Sequence, residues 1–172
     1  MNKKNIIFFL VLIFLFLLQI AALKVFSNVW YIVPQLLLVF VIVLSITDSL
    51  PEAVWFAFIA GFFAEIFSGL FFGTYIFGFV AIGVGVYIIT RHLASQEITI
   101  LTAAVLVVSG TLLLPFLAYC FNWLASSLYS TLPFPIRNFY SSAIIWTVVS
   151  NAIFAYPITK ILNFFSRIQT IE

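Results

Sequence analysis

No residue from Asn5 to Leu23 carries a charge, and the same is true from Tyr31 to Thr47, from Thr74 to Thr90 and from Ile98 to Tyr119. A helix needs roughly 20 mostly apolar residues to cross the hydrocarbon of a bilayer. A soluble domain instead needs charge on its outer surface, typically about a quarter of its residues. Here 65% of residues are hydrophobic and 7% are charged. So few charges cannot build a water-facing shell around a core, so the outside of the fold must face lipid. A chain of 172 residues has room for one compact domain. The expected architecture is all-α and polytopic, a single integral membrane domain over residues 1–172.

Six stretches qualify as transmembrane helices, over about 5–23, 31–47, 53–72, 74–90, 98–119 and 139–161. The first could be mistaken for a signal peptide, because Lys3 and Lys4 precede it and Ala21-Ala22 follow. Its unbroken run from Ile6 to Leu18, extended by Gln19 and Ile20, reads instead as an uncleaved span. Lys/Arg bias sets orientation. With the N-terminus cytoplasmic, Lys3, Lys4, Arg91, Lys160 and Arg167 lie inside and only Lys24 and Arg137 outside. Both termini are therefore expected in the cytoplasm.

The net charge of +2 is scattered and forms no basic stripe, which argues against nucleic-acid binding. The single Cys120 excludes an internal disulfide framework and a CxxC metal site, and reads as a small packing residue. Twenty-two Phe residues read as lipid-facing bulk.

The connections are informative. In Asp48-Ser49-Leu50-Pro51-Glu52, Ser49 and Glu52 have capping-box spacing, and Pro51 suits a first helical turn. The rival role for Glu52 is an ion pair with Arg91 or His92. Gly73 is expected to end the third helix in a left-handed cap, with the fourth span following at once in a tight hairpin. From Phe121 to Asn138, Trp123, Leu124, Leu128, Tyr129 and Leu132 alternate with Asn122 and Ser/Thr residues. This pattern predicts a short amphipathic helix in the membrane interface, ended by Pro133 and Pro135, serving as a connector or a docking surface.

Within the third span, Ala57, Gly61, Ala64, Glu65 and Ser68 fall on one face at 100° per residue, away from Phe58, Phe62 and Phe63. Small faces let helices approach closely in lipid. Gly78, Ala81 and Gly85 form a second small face on the fourth span, so the third and fourth are expected to pack together. Glu65 is the one acid deep in a span. A charge at the bilayer centre costs roughly 2.5–3.5 kcal/mol on insertion scales, so Glu65 must face protein or water. Either it forms a contact site or polar cavity, or its hydrogen bonds lock the bundle. Gln19, Asn151 and Tyr156-Pro157 are the other polar or kinking features inside spans, read as interhelical glue or kinks. His92 stands alone beside Arg91 at a helix end. No nucleophile–base pair, phosphate loop or metal-ligand cluster is visible, and no cofactor is expected. One intramembrane acid is too few for a proton relay.

The run Gly61-Phe62-Phe63-Ala64-Glu65-Ile66-Phe67-Ser68-Gly69, followed by Gly73, resembles the signature of the rod shape-determining protein MreD family: a Gly, an acid four positions later, a small pair and a further Gly. The family usually carries Asp where this chain has Glu65, which keeps the charge and adds one methylene of reach. Leu17-Leu18-Gln19-Ile20, Pro34 before a Leu run, and Asn151 with Tyr156-Pro157 and a basic tail also resemble the family. The resemblance implies a non-enzymatic subunit of the bacterial cell-wall elongation complex in the inner membrane. Its implied partners are an MreC-like protein, MreB-like filaments and wall synthases. It also implies a fold similar to the S components of energy-coupling-factor transporters. Gly61, Glu65, Ser68, Gly69, Gly73 and Asn151 are the expected partner-binding or helix-packing positions. The alternative is an S-component-like vitamin carrier, although the first span has only Ala21 and Ala22 where a docking motif would need an alanine-rich pattern. A membrane-embedded enzyme is a third reading, without a reactive constellation to support it.

Overall fold

The computed structural model describes residues 3–26, 34–92, 100–129 and 144–168. Six helices occupy these residues: α1 (Lys3–Phe26), α2 (Leu36–Thr47), α3 (Leu50–Glu65), α4 (Thr74–His92), α5 (Ile100–Leu128) and α6 (Ile144–Ile168). No strand occurs among the described residues. Four of the helices, α1, α4, α5 and α6, are long and apolar enough to cross a membrane.

The other two explain the architecture. α2 is apolar on every side, and a helix of that kind belongs in an interior. Leu36 through Leu44 are all fully buried, and α2 packs against each of the other five helices. Its 12 residues reach about 18 Å at 1.5 Å per residue, well short of the ~30 Å hydrocarbon layer. The 31–47 span expected from the sequence is thus replaced by a shorter internal helix. Gln35 takes the N-cap position with non-helical backbone angles, directly after Pro34; residues 31–33 lie outside the described residues.

α3 also stops early, at Glu65 instead of near Phe72. Phe67 and Ser68 donate their N–H groups to the carbonyls of Ala64 and Glu65, tightening the last turn. Gly69, at φ +64°, and Gly73, at φ +100°, then bring the chain back into α4; only glycine adopts such angles without strain. α5 departs in the opposite direction, running to Leu128 through the stretch expected to form a separate interfacial helix. Its polar residues do not end it, because Asn122, Ser126 and Ser127 return hydrogen bonds to the carbonyls of Ala118 and Trp123 within the same helix. The Pro133–Pro135 stop falls outside the described residues.

Two contacts fix which helix ends lie together. Lys4, at the start of α1, bonds Asp48 and, at 2.9 Å, Glu52. Phe71 and Tyr129 stack at 6.0 Å, joining the α3–α4 turn to the end of α5. The Lys4 clasp also decides the role of Glu52. Its ion-pair partner is Lys4, whereas Arg91 lies over Tyr87 and His92 bonds the Ile88 carbonyl. Ser49 makes no side-chain cap and donates its hydroxyl to Glu52 at 3.0 Å. A hydrogen bond with Asp48, supported by Lys4 and Ser49, holds the Glu52 carboxyl down at about 2, while burial pushes Asp48 up.

The interior around α2 is aromatic as well as aliphatic. Phe40 is fully buried and meets Phe56 edge-on at 6.1 Å, and Phe56 meets Phe8 at 6.0 Å. Phe14, by contrast, is 62% exposed on α1. Phe40→Ala is expected to cost on the order of 3 kcal/mol through lost contacts and a cavity, read as a lower unfolding midpoint in detergent. Phe14→Ala should change the stability by no more than about 0.5 kcal/mol.

Candidate functional site

The first four N–H groups of any helix have no partner inside it. Within an apolar bundle there is no bulk water to take them, and the chain answers this at two helix starts with side chains borrowed from other helices.

The first is the start of α4. Glu65, 6% exposed at the end of α3, accepts the N–H of Tyr75 at 2.7 Å and that of Ile76 at 3.4 Å through Oε2. Its Oε1 accepts the Ser68 hydroxyl at 3.2 Å, and Ser68 Oγ accepts the N–H of Leu70 at 3.2 Å. The N–H of Thr74 goes to the Phe71 carbonyl and that of Phe77 to the Gly73 carbonyl. Each N–H from Thr74 to Phe77 therefore has an acceptor. Both oxygens of Glu65 are thus engaged within the chain, by the head of α4 and by Ser68.

This lock requires α3 and α4 to touch. A Cβ on Gly61 would stand 2.7 Å from the Ile76 Cα and 3.0 Å from the Tyr75 carbonyl oxygen, so the backbones meet where Gly61 has no side chain. The face expected on α4 is not the one used. Gly78 faces Leu114 of α5 and Gly85 meets nothing, while Gly83 meets Ala57 of α3 as well as Val41 and Ser45 of α2. Gly69 has open space around it and matters only for its backbone angle. Gly73 combines its positive φ with a close approach to the ring of Phe121.

Asn122, read from sequence as part of an interfacial connector, is fully inside. Its Oδ1 accepts the N–H of Phe71 at 3.4 Å, and its Nδ2 donates to Thr74 Oγ1 at 3.0 Å. It ties α5 to the turn that Glu65 organises. An Asn among apolar residues was the available signal, but its partner in the α3–α4 turn, 51 residues away, leaves no trace in local spacing.

The second start is that of α2. Asn151 of α6 is fully buried. Its Oδ1 accepts the N–H of Gln35 at 2.8 Å and its Nδ2 donates to Thr111 Oγ1 of α5 at 3.0 Å. Gln19 of α1 accepts the N–H of Leu37 at 3.2 Å. The sequence singled out Gln19 and Asn151 as interhelical glue, and the structure gives them a shared object, the head of α2. It does not bring Asn151 into contact with the Gly61–Gly73 group; the two sets are separate caps.

Between them lies a cavity of about 230 Å³, lined by Phe16 and Gln19 of α1, Gln35 and Leu37 at the head of α2, Phe63 and Ala64 of α3, Ser68, and Tyr75 of α4, among others. Phe16 stacks on Phe63 at 4.7 Å and leans on Phe67 at 5.9 Å.

Glu65→Leu is expected to orphan two buried N–H groups at about 1–3 kcal/mol each, whereas Glu65→Gln keeps an acceptor and should retain more than half of that stability. Thermal unfolding of the purified protein in detergent measures both, and equal losses would contradict the capping role. A family model described as rod shape-determining protein MreD matches residues 2–165. No curated protein and no solved structure matches the chain.

Proposed function

The chain belongs to the rod shape-determining protein MreD family, a multi-pass inner-membrane component of cell-shape determination, and from that premise we propose that it is the membrane subunit of the cell-wall elongation complex that associates with an MreC-like protein. The family match over nearly the whole chain carries the reading. In the membrane we infer six helices forming one domain over 1–172, with both termini cytoplasmic. The end of the bundle bearing Lys4, Arg91 and Lys160 then faces the cytoplasm, in keeping with the positive-inside bias.

Association works through helix packing. Gly61, Glu65, Ser68, Gly69, Gly73 and Asn151 serve it from within, because they fix the positions of α2, α3 and α4 against one another. The partner meets lipid-facing surfaces that this frame holds in place. One suitable surface is the groove between α1 and α6, about 370 Å³ and lined by Ile7, Leu10, Val11, Phe14, Leu15, Ile158 and Ile161. Its walls are wholly aliphatic and aromatic, as a helix partner in lipid requires. MreB-like filaments and wall synthases are reached through the same assembly. The alternative, an S-component-like vitamin carrier, has the cavity between the two caps in its favour.

Leu10, 60% exposed, gives the test. Leu10→Trp fills the groove and should reduce co-purification with an MreC-like protein at least fivefold while leaving the unfolding midpoint unchanged. Gly61→Leu should lower both. Full co-purification by Leu10→Trp would remove the groove from the reading. Failure of the parent protein to retain an MreC-like partner, with binding of a vitamin instead, would replace it with the carrier.

A further inference from the structure

The turn between α2 and α3 brings two acids to one base. Asp48 is the C-cap of α2, and Glu52 lies four residues on, in the first turn of α3. Lys4 of α1 bonds Asp48 Oδ1 and, at 2.9 Å, Glu52 Oε2, so two carboxyl oxygens converge on one ammonium. Asp48 is buried, while Lys4 and Glu52 are partly open. Ser49 serves both acids, its N–H reaching Asp48 Oδ1 at 3.1 Å and its hydroxyl Glu52 Oε2 at 3.0 Å.

With both acids ionised, this group carries one negative charge too many, and like charges at contact distance raise the proton affinity of one of them. The other cations at this end are spent elsewhere. Arg91 lies over Tyr87, Lys160 lies over Tyr156, and His92 meets the Ile88 carbonyl. Among the described side chains, Lys4 alone pairs with the two acids. Burial and then Glu52 push the Asp48 carboxyl up, while Lys4 pulls it down. A proton on Asp48 lets the two carboxyls bond each other, whereas an ionised Asp48 needs Lys4. What Lys4 holds is the start of α1. Phe8, one turn on, is fully buried against Phe56, and the Lys4 ammonium lies 5.4 Å from its ring centre. The other face of α1 is open at Ile6, Leu10 and Phe14.

We propose that Lys4 and a proton compete for the Asp48–Glu52 pair, so that the first turns of α1 seat on the α2–α3 turn when the proton leaves and loosen when it binds. The proton passes from the Asp48 carboxyl to solvent at Glu52, whose side chain is 28% exposed. Its return leaves Lys4 one carboxylate instead of two. The seated form binds fewer protons than the loosened one, so seating strengthens as the pH rises. The α1 wall of the groove shared with α6 begins at Ile7 and follows the seating. The inference concerns α1 itself and stands whether or not an MreC-like partner occupies that groove.

The experiment uses the full chain in nanodiscs and two NMR reporters. Asp48 is the only Asp in the sequence, so ¹³C labelling of Asp carboxyls reads its titration directly. 4-Fluorophenylalanine at position 8 reports by ¹⁹F whether the start of α1 is seated. As the pH rises through the Asp48 titration, the ¹⁹F signal should pass from a loosened to a seated position with the same midpoint. Lys4→Met should raise the Asp48 midpoint by about one pH unit or more and leave the ¹⁹F signal loosened at every pH. Glu52→Gln, which removes the neighbouring acid, should lower the midpoint, and Asp48→Asn should make the ¹⁹F signal insensitive to pH. An Asp48 midpoint that neither Lys4→Met nor Glu52→Gln moves overturns the proposal. So does a pH response that survives Asp48→Asn, or a signal that moves to the seated position as the pH falls. Retention or loss of an MreC-like partner is measured separately and bears on none of these outcomes.

Discussion

In hydrocarbon an unpaired backbone N–H has nowhere to go, and this constraint governs the whole bundle. Long helices meet it by exporting their ends to the interfaces. α2 cannot, because it is too short and too enclosed. Its first N–H groups are received by Asn151 and Gln19. α4 follows an early stop in α3, and its first N–H groups are received by Glu65. Each capping residue comes from a different helix than the one it caps. The polar side chains therefore serve as crosslinks, and the apolar surfaces supply the fit between them. Association in lipid gains little from hydrophobicity, so such crosslinks, with glycine-mediated contact, set the geometry.

Much of this was legible in the sequence, for reasons that can be named. The all-helical class followed from uncharged runs that no soluble core could hold. Glu65, Gln19 and Asn151 stood out because a polar group in an apolar span must have a partner, and Gly61 because it lies on the same face as Glu65. Pairing was less legible. The small face at Gly78, Ala81 and Gly85 was assigned to α3, yet Gly78 serves α5 and it is Gly83 that meets Ala57. A glycine marks a close approach without naming the neighbour. Hydropathy also overstated α2 and α3, because it records what a segment can tolerate and not where the helix ends: α2 starts only at Leu36, and α3 stops at Glu65 before the turn through Gly69. Asn122 was misplaced for a related reason: its bonds within its own helix let α5 continue past the point where polarity suggested an end.

The charged end of the bundle is organised differently from the capped interior. Lys4 gathers Asp48 and Glu52 at the mouth of the α2–α3 turn, its ammonium also lying 5.4 Å from the ring centre of Phe8. Arg91 lies over Tyr87 and Lys160 over Tyr156. A cation over an aromatic ring suits the depth where apolar stems meet headgroups. One end is thus held by the ion pairs of Lys4, and the other by the side-chain amides of Gln19, Asn122 and Asn151 and the carboxyl of Glu65.

The enclosure of α2 has a consequence for how the protein is made. Its twelve residues are synthesised well before α6, the last of the described helices, whose Asn151 completes its head. Until α6 emerges from the ribosome, the N–H of Gln35 lacks the acceptor that Asn151 supplies, while that of Leu37 already has Gln19. Maturation is therefore closed from the C-terminal side. A truncation that removes α6 would leave the centre of the molecule unfinished, and would do so far along the chain from the cut.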